Sequence, residues 1–472
     1  MCVTGAFQTG SEDFMEADVV VVGAGTGGLV AALRLADGGL RVVVLEKANE
    51  AAYGNTWCND LDLGPFSRYG LPEPTGGELP FPVRRDVRML TADGGTGFVI
   101  PGLPNYALRM SDYQKRLADM CRNAGAEILF GCPAVGVLEE NGAVAGVRAK
   151  SPDKKEFDVA ARVTVLACGD GAAVMRSLPG FVDIDLGTEP GDMVHAIQET
   201  WEVDRDRARK AVEAGRVYDG EMVFLVGLPG AGGFSTFMYQ LDVSRGIVGI
   251  LAASKPHLYD VLTPRRMLDR FVADIGFCTN RIYGGGRPIA MRRPADSSVH
   301  DGLCLVGDAA FLASPANGSG TTPSMVSACL CADTVGAVLG RRAKPTREAL
   351  WPYSHALLST LGATFAGYYA TQLLLRTLDE NQVQSLVRHK LVRPADFHHI
   401  HDAKPVKIGP VDGVRRLVRG APAAPLLGRF LLQGVRTEVV TRHYRRYPKA
   451  WSPTEYTRWL NRARRLLRWA RV

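Results

Sequence analysis

Gly23, Gly25 and Gly28 stand at the spacing Gly-x-Gly-x-x-Gly directly after the run Val19-Val20-Val21-Val22, and Glu46 closes a second apolar run, Val42-Val43-Val44-Leu45. Those residue types in that order suit the holding of a dinucleotide. Gly23 turns an unbroken β-branched strand sharply into a helix, Gly25 lets a pyrophosphate approach bare backbone, and Gly28 lets helix and strand pack closely. The pyrophosphate then rests on unpaired N–H groups at the positive end of the helix dipole. Ala24, Thr26 and Gly27 belong to the same turn. A carboxylate at Glu46, followed by Lys47, accepts both ribose hydroxyls and repels a 2′-phosphate, which favours FAD or NAD over NADP.

A second constellation lies almost three hundred residues later. Gly302-Leu303-Cys304-Leu305-Val306-Gly307-Asp308-Ala309-Ala310 reads as a short apolar strand ending in Gly-Asp, and Ser314-Pro315-Ala316-Asn317-Gly318-Ser319-Gly320 leads into a helix of small residues. With these two motifs the chain resembles the flavoprotein superfamily of aromatic hydroxylases and geranylgeranyl reductases. The resemblance implies FAD, with Asp308 on the flavin ribitol and Gly318, Ser319 and Gly320 aiming a helix N-terminus at the isoalloxazine. Unpaired N–H groups there stabilise the negative charge of reduced flavin.

Leu108-Arg109-Met110-Ser111-Asp112-Tyr113-Gln114-Lys115-Arg116-Leu117 resembles the family's helix that carries an arginine to the cofactor, which gives Arg109 that part. A strand pair from about Gly131 to Val147 follows, and Ala134 in it is counted among the cofactor-binding positions. Val163 to Gly171 resembles the third flavin strand with its Asp-Gly turn, but the serine expected soon after is missing, so Asp170 carries no assigned role. Phe311 stands where hydroxylases usually have His, and the stretch to Gly320 is closer to the reductase pattern. None of the six tryptophans forms a Trp-x-Trp pair of the halogenase kind. Cys329 and Cys331 lack iron–sulfur spacing and read as small apolar residues on the buried face of the flavin-side helix. Geranylgeranyl reductases place a cysteine in the loop after the second Rossmann strand, and Cys58 of Tyr53-Gly54-Asn55-Thr56-Trp57-Cys58 occupies that place. By that resemblance it is the catalytic candidate, a thiol that supplies or relays the proton an alkene needs beside a hydride. A buried, inert thiol is the other reading of Cys58.

These residues need a scaffold of 472 residues, 46% of them hydrophobic, enough for two or three domains. The fold expected is α/β: a three-layer, Rossmann-like FAD-binding domain assembled discontinuously from residues 1–185 and 287–340, an inserted antiparallel β substrate domain over 186–286, and a basic, mainly helical C-terminal region over 341–472. Phe234 to Val243 and Gly246 to Leu251 read as antiparallel strands joined at Ser244-Arg245, and Gly284-Gly285-Gly286-Arg287-Pro288 as a glycine-rich turn back to the flavin domain. Leu373 to Arg393 reads as helical, with a break at Ala421 to Pro425. Residues 1–15 lack an apolar signal segment, and no run of about twenty apolar residues is evident. Nine cysteines without regular spacing read as reduced thiols, so the expected location is cytoplasmic.

Charge divides the chain. Residues 341–472 hold 25 Lys and Arg against 8 Asp and Glu, whereas the first 340 hold 31 against 41. No nucleic-acid motif accompanies the basic half, so nucleic acid is excluded as its partner and an anionic membrane surface preferred. Its last stretch has a capping-box start, Ser452-Pro453-Thr454-Glu455. Tyr456, Trp459, Leu460, Ala463, Leu466, Leu467 and Ala470 then share one face and Arg458, Arg462, Arg464, Arg465, Arg468 and Arg471 the other. Two readings fit that stripe equally: a helix lying in the lipid interface, or one packed on the protein's own body. His398-His399-Ile400-His401-Asp402 reads as a polar loop before a metal site.

The function expected is an FAD-dependent oxidoreductase that reduces a carbon–carbon double bond of a hydrophobic, isoprenoid or lipid, substrate. A flavin monooxygenase and a membrane-docked flavoprotein that passes electrons or senses redox state stand as alternatives. With no second Gly-x-Gly-x-x-Gly turn, the electrons come from outside, from transiently bound NAD(P)H or a ferredoxin-like protein.

Overall fold

The computed structural model describes residues 14–92, 94–95, 97–228, 235–255, 263–401, 404, 410–419 and 423–471. Phe234, Asp402, Ala421 and Pro422, named above, lie outside them, as do residues 1–13. In chain order the elements up to the middle of the chain are β1 (Phe14–Val22), α1 (Thr26–Asp37), β2 (Val42–Glu46), β3 (Cys58–Asp62), α2 (Gly64–Tyr69), β4 (Arg84–Thr91), β5 (Gly97–Arg109), α3 (Met110–Asn123), β6 (Glu127–Phe130), β7 (Ala134–Glu140), β8 (Ala143–Lys150), β9 (Glu156–Leu166) and α4 (Ala173–Arg176). There follow β10 (Met193–Val203), α5 (Arg205–Glu213), β11 (Glu221–Val226), β12 (Thr236–Asp242), β13 (Ile247–Ser254), α6 (Pro264–Ile275), β14 (Cys278–Ala290), β15 (Val299–His300) and β16 (Leu303–Leu305). The chain ends in helices: α7 (Thr321–Gly340), α8 (Arg347–Ser359), α9 (Leu361–Leu375), α10 (Glu380–Arg388), α11 (Pro394–His401), α12 (Pro410–Arg419), α13 (Ala424–Arg445) and α14 (Pro453–Ala470).

The first sheet runs β15-β16-β9-β1-β2-β6, with β8 and β7 added antiparallel at β9. Its central strands are parallel: Val19 to Val22 face Val42 to Leu45 on one side and Val163 to Leu166 on the other. Buried on both faces, such strands must be apolar throughout, which is why the valine run is unbroken. Helix α1 packs between α3 and α7 over this sheet. Cys329 and Cys331 of α7 are wholly buried. By length and hydropathy α7 alone among the described helices could cross a membrane, contrary to the reading that no such stretch exists, yet most of its surface is covered by the flavin-domain core.

The second sheet runs β14-β10-β13-β12-β11-β4-β5-β3. The hairpin expected around Ser244-Arg245 is β12–β13, with Asp242 facing Ile247. The sheet is wider than the segment 186–286, because β3, β4 and β5 come from residues 58–109 and β14 continues to Ala290. The mixed polar pattern of β4 and the prolines of β5 hide that membership in the sequence. The expected glycine turn at Gly284–Gly286 is instead strand interior, paired with Ile197–Glu199 of β10. A Cβ on Gly285 would come within 3.0 Å of Thr56 Oγ1 and 3.1 Å of the Trp57 ring, and one on Gly284 within 2.6 Å of Glu199 Cγ. Those glycines permit close approach rather than a reversal. Phe237 and Tyr239 pack on Phe271 of α6 as core.

In the C-terminal region the helix read over Leu373 to Arg393 is divided: α9 ends at Leu375 and α10 begins at Glu380, capped by Asp379. The polar loop read at His398 to His401 is the end of α11, where His401 touches Asp62 and the Pro104 carbonyl, and no metal-binding group occurs among the described residues. Ser452 caps α14 as expected. The stripe of α14 is inside: Tyr456, Trp459, Ala463, Leu467 and Ala470 are buried. Trp459 stacks on His443 and meets Tyr444 and Tyr447 edge-on, while Tyr456 joins Trp351 and Trp451. Docking of that apolar face on a membrane is thereby overturned, because burying aromatics against α8 and α13 removes from water the surface a bilayer would have taken.

Candidate flavin site

The glycine turn separates its duties residue by residue. Gly23 has φ +101°, and a Cβ there would lie 2.6 Å from the Ala167 carbonyl oxygen; one on Gly28 would lie 1.9 Å from the Gly23 carbonyl oxygen. Both positions are closed to side chains by backbone. Around Gly25 nothing lies within 4 Å of a built Cβ, so the turn presents bare backbone to open space at the start of α1. Thr26 and Gly27 are buried in the first turn, where Gly27 approaches Val306 and Ser324. Glu46 braces the turn by accepting the Ala24 N–H at 2.8 Å and the Ala48 N–H at 2.8 Å. Tyr53 donates to the Ala24 carbonyl. Lys47 is exposed, and Ala134 is buried at the start of β7.

The second half of the site forms where β16 ends. Asp308 sits in a 3₁₀ turn, Gly307–Ala310, and its Oδ2 accepts from Arg287 at 2.8 Å. Its Oδ1 is buried without a partner, and a Cβ on Gly320 would lie 3.0 Å away. Gly318 has φ +75°, and its N–H donates to the Ser314 carbonyl while the Ser319 N–H donates to the Asn317 side chain. Asp170 is brought close by the neighbouring strand end. Burial, and then the charge of Asp308, push its carboxyl above the usual range against the pull of Arg287.

The third group lies across from these, on the second sheet. Cys58 is at the first position of β3, not in a loop, and pairs with Arg109 of β5. Its Sγ is 2.9 Å from the Tyr283 hydroxyl. Burial pushes the thiol up to about 12 despite that hydrogen bond, so it is held protonated at neutral pH. Burial also raises the Tyr283 hydroxyl. Arg109 pairs with Asp112 at 3.1 Å, and its guanidinium lies 5.4 Å from the Tyr283 ring centre. Arg109 therefore stands beside Cys58 and Tyr283. Asn59 donates to the Thr321 hydroxyl at 2.7 Å, tying β3 to the start of α7, and Arg287 lies 5.7 Å from the Trp57 ring centre. These ties bring β3, the strand of Cys58, to the start of α7 just after the turn Gly318–Gly320, although some 260 residues separate them. Tyr283, Arg287, Trp57 and Asn59 were not foreseen; the three consecutive glycines after Tyr283 were the signal, read as a turn when they mark close chain approach.

The FAD binding domain family matches residues 18–59. The digeranylgeranylglycerophospholipid reductase of Sulfolobus acidocaldarius is 22% identical over 448 residues, covering 94% of this chain and 95% of that one. That of Methanothrix thermoacetophila is 27% identical over 333 residues, covering 68% and 78%. Among solved structures, a geranylgeranyl bacteriochlorophyll reductase-like protein of Thermoplasma acidophilum superposes with TM-score 0.69 at 19% identity, over 89% of this chain and all of that one. The myxobacterial chondrochloren halogenase superposes with TM-score 0.60 at 17% identity, over 84% and 92%. The cofactor is FAD. The bare backbone at Gly25, the carboxylate of Glu46 and the orphaned Oδ1 of Asp308 fit its two ends.

Proposed function

We propose that this chain, a geranylgeranyl reductase-like member of the FAD-dependent flavoprotein superfamily, reduces carbon–carbon double bonds of an isoprenoid lipid. FAD, once bound and reduced by the external donor, would supply the hydride for one alkene carbon. Gly23, Ala24, Gly25, Thr26, Gly27, Gly28, Glu46, Lys47 and Ala134 hold the adenosine and pyrophosphate end, and Asp308, Gly318, Ser319 and Gly320 the flavin end. Cys58, kept neutral, donates the proton to the other carbon, and Tyr283 orients the thiol and hands it a replacement. Arg109, placed by resemblance on the cofactor, stands over Tyr283 and favours a transient negative charge on the pair.

The observation that carries this reading is the 2.9 Å contact of Cys58 with Tyr283 in a strand tied to the start of α7 through Asn59 and Thr321. The strand that carries the proton donor is thereby held beside the turn that the flavin assignment needs. Photoreduced enzyme mixed anaerobically with a polyprenyl lipid should reoxidise and yield the saturated product. Substrate-dependent oxygen uptake with a hydroxylated product would replace this reading by a monooxygenase. The electron donor is external, NAD(P)H or a ferredoxin-like protein, and the enzyme works in the cytoplasm against a membrane. With the stripe of α14 buried, the anionic surface is met by exposed Leu431, Leu432 and Val435 of α13 and Trp469, with arginines around them.

The domain division proposed keeps residues 1–185 and 287–340 as the flavin-binding unit in sequence terms, with 341–472 as the basic helical region. The substrate sheet is drawn from residues 186–286, with β14 running on to Ala290, and borrows β3, β4 and β5 from the first segment.

A further inference from the structure

A cleft of about 740 Å³ opens between the segment Asp185–Asp192, the residues that follow β14, and α14. Five arginines line it: Arg292, Arg293, Arg464, Arg468 and Arg471, against the carboxylates of Asp185, Glu189 and Asp192. Those carboxylates are already engaged. Asp192 takes Arg376 at 3.0 Å and the Tyr369 hydroxyl at 3.1 Å, and Glu189 takes Arg471. Asp185 is shared, at 2.9 Å from Arg293 and 3.6 Å from Arg292.

Arg292 is the residue left short. Its side chain is 4% exposed, yet its Nη1 has no hydrogen-bond partner. Its guanidinium lies 4.4 Å from the Phe311 ring centre, which supplies no acceptor. Burial, and the adjacent charge of Arg293, push it below the ordinary arginine range, the mark of a cation incompletely answered by its surroundings. On the opposite wall Arg468 is exposed and makes no ion pair among the described residues, and Arg464 reaches only Asp296, at 3.9 Å. A buried cation without an acceptor is costly, and an arginine fork is satisfied best by the paired oxygens of a phosphate. The cleft is also far larger than one ion needs. Phe311, on which Arg292 lies, ends the Gly307–Ala310 turn that carries Asp308, so the buried end of the cleft lies against that turn.

We propose that this cleft binds a phosphate-bearing ligand, with Arg292 and Arg468 as its two principal donors. The phosphate belongs either to a free phosphate or to the headgroup of a lipid; only in the second case does the site serve the proposed reduction, and that identification rests on the reductase reading. A headgroup held there would fix how far the isoprenoid chain enters beside Cys58, selecting phospholipids over free prenyl alcohols.

The test uses the FAD-saturated full chain, so that the cofactor cradle is filled. Inorganic phosphate, glycerol phosphate and dihexanoyl phosphatidic acid are titrated at constant ionic strength, with chloride as control, and followed by calorimetry and thermal shift. The phosphate-bearing probes should bind and raise the melting temperature where chloride does not. Arg292→Gln should weaken them tenfold or more. Arg468→Gln, an exposed position that does not threaten folding, should weaken them at least threefold with FAD binding unchanged. A lipid probe tenfold tighter than phosphate identifies a headgroup site, and equal affinities identify a free-anion site; both uphold the proposal. No response in the parent beyond that of chloride, or equal affinity in parent and Arg468→Gln, overturns it. Failure of anaerobic reoxidation by a polyprenyl lipid would remove the reductase reading and leave the measured phosphate affinity standing.

Discussion

Replacing Glu46 by Ala tests the ribose assignment. In the folded chain this carboxylate accepts two backbone N–H groups, from Ala24 and Ala48, each at 2.8 Å, and Ala24 is fully buried. The substitution therefore acts twice. Without cofactor it leaves the Ala24 N–H unpaired in the interior, a cost of about 1–3 kcal/mol to the apoprotein. With cofactor it also removes the charge-assisted bond to the ribose, about 1.5–3 kcal/mol, so the dissociation constant for FAD should rise roughly 10- to 150-fold. The two effects separate experimentally. Apoprotein melting reports the first, and titration of apoprotein with FAD, followed by flavin fluorescence, reports the second. Glu46→Gln, which retains an acceptor for Ala24, should recover most of the melting temperature and little of the affinity. If Glu46→Ala melts lower but holds FAD within twofold of the parent, the carboxylate only braces the loop, and the ribose assignment is wrong.

The two glycines of the turn should behave oppositely: Gly25→Ala leaves apoprotein melting unchanged, since nothing lies within 4 Å of the new Cβ, but weakens FAD, whereas Gly28→Ala, with its Cβ 1.9 Å from a carbonyl oxygen, prevents folding. Cys58→Ser should slow flavin reoxidation by substrate while leaving flavin reduction nearly unchanged in stopped-flow traces; equal slowing of both halves would point to structural damage. Burial raises the Cys58 thiol from 9.0 to about 12, so its contribution to stability is complete below pH 9 and is lost as the pH rises towards 12. Cys58→Ala should flatten that alkaline loss by up to about 1.4 kcal/mol per pH unit, read from urea midpoints across the range. Truncation after Ala450 should destabilise the protein, because it strips Trp459 and Tyr456 from a buried aromatic cluster, whereas Leu431→Asp with Leu432→Asp should preserve melting and reduce co-sedimentation with anionic vesicles; unchanged pelleting would rule out α13 as the contact.

The sequence by itself determined what depends on short stretches of chain. A strand that must be buried on both faces spells itself as Val19 to Val22, a turn that must show bare backbone spells itself as Gly23, Gly25 and Gly28, and a strand-ending Asp308 marks a second half-site. Each is written within a dozen residues, so the Rossmann core, its glycine turn and the cap of α14 were legible. What the tertiary structure alone decided are the pairings of distant segments. Nothing local in Arg84 to Arg109 says that it completes a sheet begun a hundred residues later, because register across strands is chosen by the partner. The same holds for Cys58: its neighbours in sequence gave no hint of Tyr283, and its protonation state follows from burial that only the closed structure imposes. The amphipathic stripe of α14 was ambiguous for a deeper reason. A face of Trp, Tyr and Leu gains the same free energy on leaving water whether it meets lipid or protein, and only the presence of Trp351, Tyr444 and Tyr447 at the right place settled which.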